Sequence, residues 1–148
     1  MAKRLYAVGS LNGTSPIYKK ILVNDTQTIY KGDIIVLDTG KASIAADAAS
    51  AGTVLGVAAE DIVTTTADSD DYIMYDANPA TIYRAAFDGT GTPVIGTKYD
   101  MYTAAYVMDV ADTTGGYIQV VGEFDGSPYD SDNDLVNVIL CNRVFGMA

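Results

Sequence analysis

The chain reads as an all-β protein: a small barrel or sandwich-like domain carrying an extended N-terminal arm. Two observations predict this. The apolar runs are short and rich in Val, Ile, Thr and Tyr, side chains that suit a pleated, half-buried surface. Between them stand Gly, Asp, Asn and Pro at spacings of about 8–12 residues, the rhythm of barrels and sandwiches.

The first sixteen residues, ending in Asn12-Gly-Thr-Ser-Pro16, are expected to run as an extended arm, and residues 17–148 to form one β-domain. Strands are expected over Ile17–Val23 and Ile34–Leu37, the second closed by the turn Asp38-Thr-Gly-Lys41. Ala42–Ala51 holds six alanines, but Gly40 and Gly52 bracket it closely, so a short strand followed by a loop or single helical turn is expected. Thr53–Ala58 and Ile62–Thr66 follow. Tyr72–Tyr75 and Thr81–Phe87 are separated by Asn78-Pro79, a turn with preset φ. Asp88-Gly89-Thr-Gly91 then leads to a strand over Tyr99–Met108. Thr114-Gly-Gly116 precedes Tyr117–Phe124, which alternates in part, and Asp125-Gly-Ser-Pro128 precedes Leu135–Val144. The continuously apolar character of that last run predicts a central strand.

Composition narrows the function. Of 148 residues, 49% are hydrophobic, enough for a core. Only 19% are charged, below the roughly 25% typical of soluble domains, which suits a protein that covers surface against a partner or its own copies. The net charge of -10 disfavours direct nucleic-acid binding, because phosphate affinity needs Lys and Arg. The charge is uneven: residues 1–41 carry +3 and residues 42–148 carry -13. Two readings stand side by side, a basic segment that docks on an acidic partner or neighbour copy, and an ordinary solvated face. No apolar stretch reaches the roughly 20 residues of a membrane helix, so no membrane partner is expected. The start, with Lys3 and Arg4, is too short and polar for a signal peptide, so synthesis in a cytoplasm is expected.

Catalytic vocabulary is sparse. The chain has no His, which removes the commonest general base, and its single Cys141 sits in the apolar run Val138–Asn142, as a buried thiol would. Asp130-Ser-Asp132-Asn-Asp134 starts like a calcium loop, but Leu135 stands where Gly belongs and Cys141 where Glu belongs. Asp68, Asp70 and Asp71 form a similar acidic cluster. Gly89-Thr-Gly91 lacks the third glycine and the βαβ context of a dinucleotide loop. No enzyme activity, metal or cofactor is expected. The eleven tyrosines serve barrel packing, and some of them an interface or a sugar-stacking face.

Three blocks carry a family likeness: Lys31-Gly-Asp-Ile-Ile-Val-Leu-Asp-Thr-Gly-Lys-Ala42, Gly52-Thr-Val-Leu-Gly-Val-Ala-Ala-Glu-Asp61, and Tyr72–Tyr83 followed by Ile95–Asp100. In this order, over about residues 17–145, the chain resembles the head decoration, or cement, proteins of tailed bacteriophages. That resemblance implies a non-enzymatic β-domain on the outer surface of the virion's capsid. It implies the major capsid protein as partner, bridging of its subunits, and self-association as a homotrimer. Residues 3–20 are then the candidate docking segment, with Lys3, Arg4, Tyr6, Tyr18, Lys19 and Lys20 as interface residues. A head fibre or tail part, and a glycan-binding β-module, remain as alternatives.

Overall fold

A computed structural model describes residues 4–45, 53–65, 71–88, 91–101, 106–122, 129–130 and 135–145. Its longest strand is the spine. β9 (Thr81–Asp88) alternates buried and half-buried side chains, with Thr81, Tyr83 and Ala85 turned inward. One edge of β9 pairs with β14 (Leu135–Leu140), Tyr83–Ala86 facing Val138–Leu135. The opposite edge is divided. β1 (Tyr6–Ser10) pairs antiparallel with Thr81–Arg84, and β11 (Val107–Asp109) pairs parallel with Ala86–Asp88. From β11 the sheet continues through β10 (Lys98–Met101) and β12 (Ile118–Val120) back to β14. Five strands thus close a small barrel, to which β1 and β13 (Tyr129–Asp130) are added.

A second sheet runs in the order β2 (Tyr18–Leu22), β8 (Tyr72–Asp76), β6 (Val54–Ala58), β4 (Ile34–Asp38) and β5 (Lys41–Ile44). It curls until its outer strands touch: Val23 bridges Ala42, and Asn24 N–H donates to Ala42 C=O at 2.9 Å. β3 (Thr28–Ile29) and β7 (Ile62–Val63) form a ribbon that adds Ile29 and Ile62 to this sheet's core. The β4–β5 hairpin turns on Thr39 and Gly40, both at positive φ, the twist-matched two-residue turn.

The two cores share strands. Ile34 and Val36 of β4 face the barrel core, and Ile35 and Leu37 face the second. In β6, Val54 and Val57 face the barrel, while Leu55 and Ala58 face away. Burial on both faces explains why these strands read as unbroken apolar runs. Val54 and Val57 share a side despite being three residues apart, because the β4–β6 register slips between Ile35 and Val36.

The all-β expectation stands, and no helix occurs among the described residues. The N-terminal segment is extended but docked. Leu5 belongs to the barrel-side core, and β1 is part of the sheet. The loop that follows is pinned where Asn78 Nδ2 donates to Thr14 Oγ1 at 2.9 Å and to Ser15 C=O at 3.0 Å. The single strand expected over Tyr99–Met108 is two antiparallel strands, with Asp100 opposite Asp109 and Met101 opposite Met108. The strand expected to reach Val144 ends at Leu140. Asn142 turns at φ 54°, and Arg143 then bridges Val54. The turns expected at Asp88–Gly91 and Asp125–Pro128, and the alanine-rich stretch beyond Ala45, lie wholly or partly outside the described residues.

Gly56 marks the tightest contact between strands, since a Cβ there would lie 2.0 Å from the Asp76 carbonyl oxygen. Backbone cannot yield as a side chain can. Gly56→Ala is expected to cost about 3 kcal/mol, read as a lower urea midpoint. A midpoint equal to the wild type would show that β6 and β8 are not packed this closely.

Candidate functional site

The N-terminal segment, the turn before β4 and the outer face of β8 meet around one groove. Its geometry starts from the turn Tyr30–Asp33. Asp33 N–H donates to Tyr30 C=O at 2.9 Å, and Tyr30 N–H donates to Asp33 Oδ2 at 2.8 Å. Gly32 sits at φ 95°, and a Cβ there would lie 2.6 Å from Arg4 Cβ and 2.7 Å from Leu5 C=O. Only glycine therefore lets the N-terminal segment lie across this turn. Leu5 N–H donates to Gly32 C=O at 3.2 Å, and Gly32 N–H donates to Ala58 C=O at 2.9 Å, tying the segment to β6.

Arg4 secures the same junction. Its Nε donates to Asp33 Oδ1 at 3.0 Å, and its guanidinium lies 4.7 Å from the Tyr30 ring centre and 4.4 Å from that of Tyr106. The planar guanidinium suits this stacked arrangement. Asp33 is 1% exposed, so its charge is matched inside the protein. Expected as a docking residue, Arg4 is instead committed within its own chain.

Beyond Arg4 lies a cleft of about 450 Å³ between β1 and the outer face of the second sheet. Tyr6 and Tyr18 stand at its rim, 48% and 57% exposed. Lys31 lines it, and Val57 and Met74 add apolar surface. Asp61 Oδ1 accepts from the Lys31 backbone N–H at 2.7 Å, whereas the Lys31 ammonium makes no ion pair among the described residues.

Asp76 and Tyr83 also line this cleft. Asp76 Oδ1 accepts from Ile17 N–H at 3.1 Å and from Asn78 N–H at 2.9 Å, and Oδ2 accepts from the Tyr83 hydroxyl. Arg143 Nη2 donates to Leu55 C=O at 2.9 Å and reaches Asp76 C=O at 3.4 Å. Burial, then the Asp76 hydrogen bond and charge, push the Tyr83 phenol above its ordinary range. Burial pulls Arg143 below its own.

The remaining expected interface residues divide. Tyr6 and Tyr18 share the cleft. Lys19 and Lys20 are exposed on β2, and Lys19 borders a separate depression of about 280 Å³ beside Leu55, Tyr75 and Phe145. Lys3 lies outside the described residues, as does most of Asp130–Asp134 and all of the 68–71 cluster except Asp71. Sequence reasoning passed over Lys31, Gly32, Asp33 and Asp76 as site residues. The Gly-Asp step before a strand was the available signal for two of them.

No protein-family model matches the chain, and no curated protein matches it.

Two outcomes follow from the junction. Arg4→Ala should cost about 2 kcal/mol by leaving buried Asp33 short of a partner, and Arg4→Lys should recover only part of it. Equal stability of all three proteins in urea would show the clamp to be inert. Tyr83 has its pKa raised on folding, so its contribution is complete below the unfolded value near 10 and is lost above it. Tyr83→Phe should lose about 1 kcal/mol at pH 7, yet decline less between pH 10 and 12 than the wild type. Tyr75 and Cys141, also shifted upward by burial, leave a residual slope in both. Parallel alkaline profiles would remove Tyr83 from this role.

Proposed function

We propose that this chain is a non-enzymatic structural protein of a phage virion. It attaches to the outer surface of the capsid and stabilises the shell by bridging major capsid subunits. The observation that carries the binding reading is the division of labour among polar groups. The buried carboxylates Asp33 and Asp76 are held by structural donors, while Tyr6 and Tyr18 stand exposed at the rim of the cleft with Lys31 in its lining, and Lys19 and Lys20 stand exposed on β2. Acid–base catalysis needs a titratable group free to meet a substrate. Docking needs aromatic area with a polar tip, and cations at the rim.

The capsid as partner rests on the ordered likeness of the three sequence blocks to head decoration proteins. The physics is compatible with that role. A shell offers many identical sites, so contacts that are individually modest sum through multivalency. A net charge of -10 keeps crowded particles from adhering to one another. Self-association as a trimer belongs to the same proposal. A glycan-binding reading draws on the Tyr6 and Tyr18 rings flanking the cleft, which could stack on a sugar.

Co-sedimentation with expanded, undecorated capsids of the parent phage tests the proposal. Saturation at a copy number set by the shell's symmetry is expected. No binding to expanded or unexpanded shells would overturn it, and a signal on a glycan array would then favour the second reading.

A further inference from the structure

We infer that Asn12 is a self-modifying site, at which the main-chain nitrogen of Gly13 attacks the Asn12 side-chain amide, expels ammonia and leaves aspartate or isoaspartate. This holds whatever the chain docks on.

The sequence supplies the first argument. Asn12-Gly13 is the one Asn-Gly step in the chain. Glycine has no side chain to shield its nitrogen, and a Cβ at Gly13 would meet nothing within 4 Å. Asn12, Gly13 and Thr14 are exposed in the loop after β1, and Gly13 lines a depression of about 520 Å³, so water reaches the step. No hydrogen bond engages the Gly13 N–H among the described residues.

The hydrogen bonds on the amide oxygen are the second. Asn12 Oδ1 accepts from Thr14 N–H at 3.1 Å, from Thr14 Oγ1 at 2.6 Å and from Ser10 Oγ at 2.9 Å. The direction of both hydroxyls is fixed. Asn78 Nδ2 donates to Thr14 Oγ1, and Asn12 N–H donates to Ser10 Oγ, so each hydroxyl turns its own proton to Asn12 Oδ1. An amide oxygen has two lone pairs, whereas the alkoxide formed by attack at Cγ has three. Three donors on one oxygen therefore match the intermediate better than the starting amide, which is how an oxyanion hole works.

The leaving nitrogen is the third. Asn12 Nδ2 makes no hydrogen bond among the described residues. The same atom is held in Asn24 by Asp38 C=O and Ser43 Oγ, in Asn78 by Thr14 Oγ1 and Ser15 C=O, and in Asn142 by Gly116 C=O. Asn78 is also followed by Pro79, which has no N–H, and Asn137 is 1% exposed within β14.

The chemistry balances with water alone. Hydroxide takes the Gly13 proton, the nitrogen bonds to Asn12 Cγ, and the Cγ–Nδ2 bond breaks as ammonia leaves with a proton from water. Water then opens the cyclic imide. Attack at Cγ restores the original main chain and gives aspartate; attack at the main-chain carbonyl gives isoaspartate. Either product places a carboxylate in the segment 1–41, which otherwise carries +3.

The test incubates the full chain at mildly alkaline pH and follows position 12 by peptide mapping and mass spectrometry. Conversion of Asn12 to the acid is expected, and hydroxylamine should cut the chain between Asn12 and Gly13 by trapping the imide. The folded chain should convert at least about tenfold faster than the same chain in guanidinium chloride, where the three donors are dispersed. Thr14→Val removes one donor and should lose most of that advantage when folded, yet match the wild type in denaturant. The comparison of folded with denatured wild type decides the matter even if Thr14→Val fails to fold. No acid at position 12, a folded rate at or below the denatured one, or a folded Thr14→Val that converts as fast as the wild type would each overturn the inference.

Discussion

The structure depends on one buried carboxylate. Asp76 ends β8 at the point where the second sheet meets the barrel, and it is 4% exposed. Its oxygens accept from the residue before β2, from the turn before β9, and from Tyr83 within β9. Its carbonyl fills the space that Gly56 leaves open and lies within reach of Arg143. Removing a carboxylate from water is costly unless donors replace the hydration. Here three donors do so, each from a different stretch of chain. Satisfying that one group fixes the path of the N-terminal segment, the β8–β9 turn and the approach of Arg143 together.

Sharing is the second organising principle. β4 and β6 are walls of two cores at once, and β9 carries two strands end to end along one edge. A chain of 148 residues with 19% charge can do this because few of its strand faces need to meet water. The groove joins the two kinds of strand: Val57 and Ala58 of the doubly packed β6 form part of its wall, while Tyr6, Ala7, Tyr18 and Lys31 in its lining are exposed.

What the sequence disclosed follows from what is local. The runs at Ile34–Leu37, Thr53–Ala58 and Thr81–Phe87 contain their own signal, because burial on one or both faces is written in the side chains themselves. The turn at Asp38–Lys41 was equally legible. The reversal between β10 and β11 was not, since Tyr99–Met108 keeps strand-forming residues on both sides of it. Arg4 and Asp33 are 29 positions apart, and Ile17 and Asp76 are 59 apart. No spacing rule connects such pairs. Their place in the basic N-terminal segment singled out Tyr6 and Tyr18, which are exposed, but the same reasoning could not see that Arg4 is held by two tyrosine rings.

The bond from Arg143 to Leu55 spans 88 positions, and β14 supplies the strand that joins β12 to β9. Neither core is therefore complete until residues beyond 135 have left the ribosome. The barrel lacks a stave before that point, and the second sheet lacks the guanidinium that binds the Leu55 carbonyl. Folding of the two halves is consequently a late and joint event during synthesis. It is also slow for a protein of this size, because distant segments must find one another before either half gains its stabilising contacts.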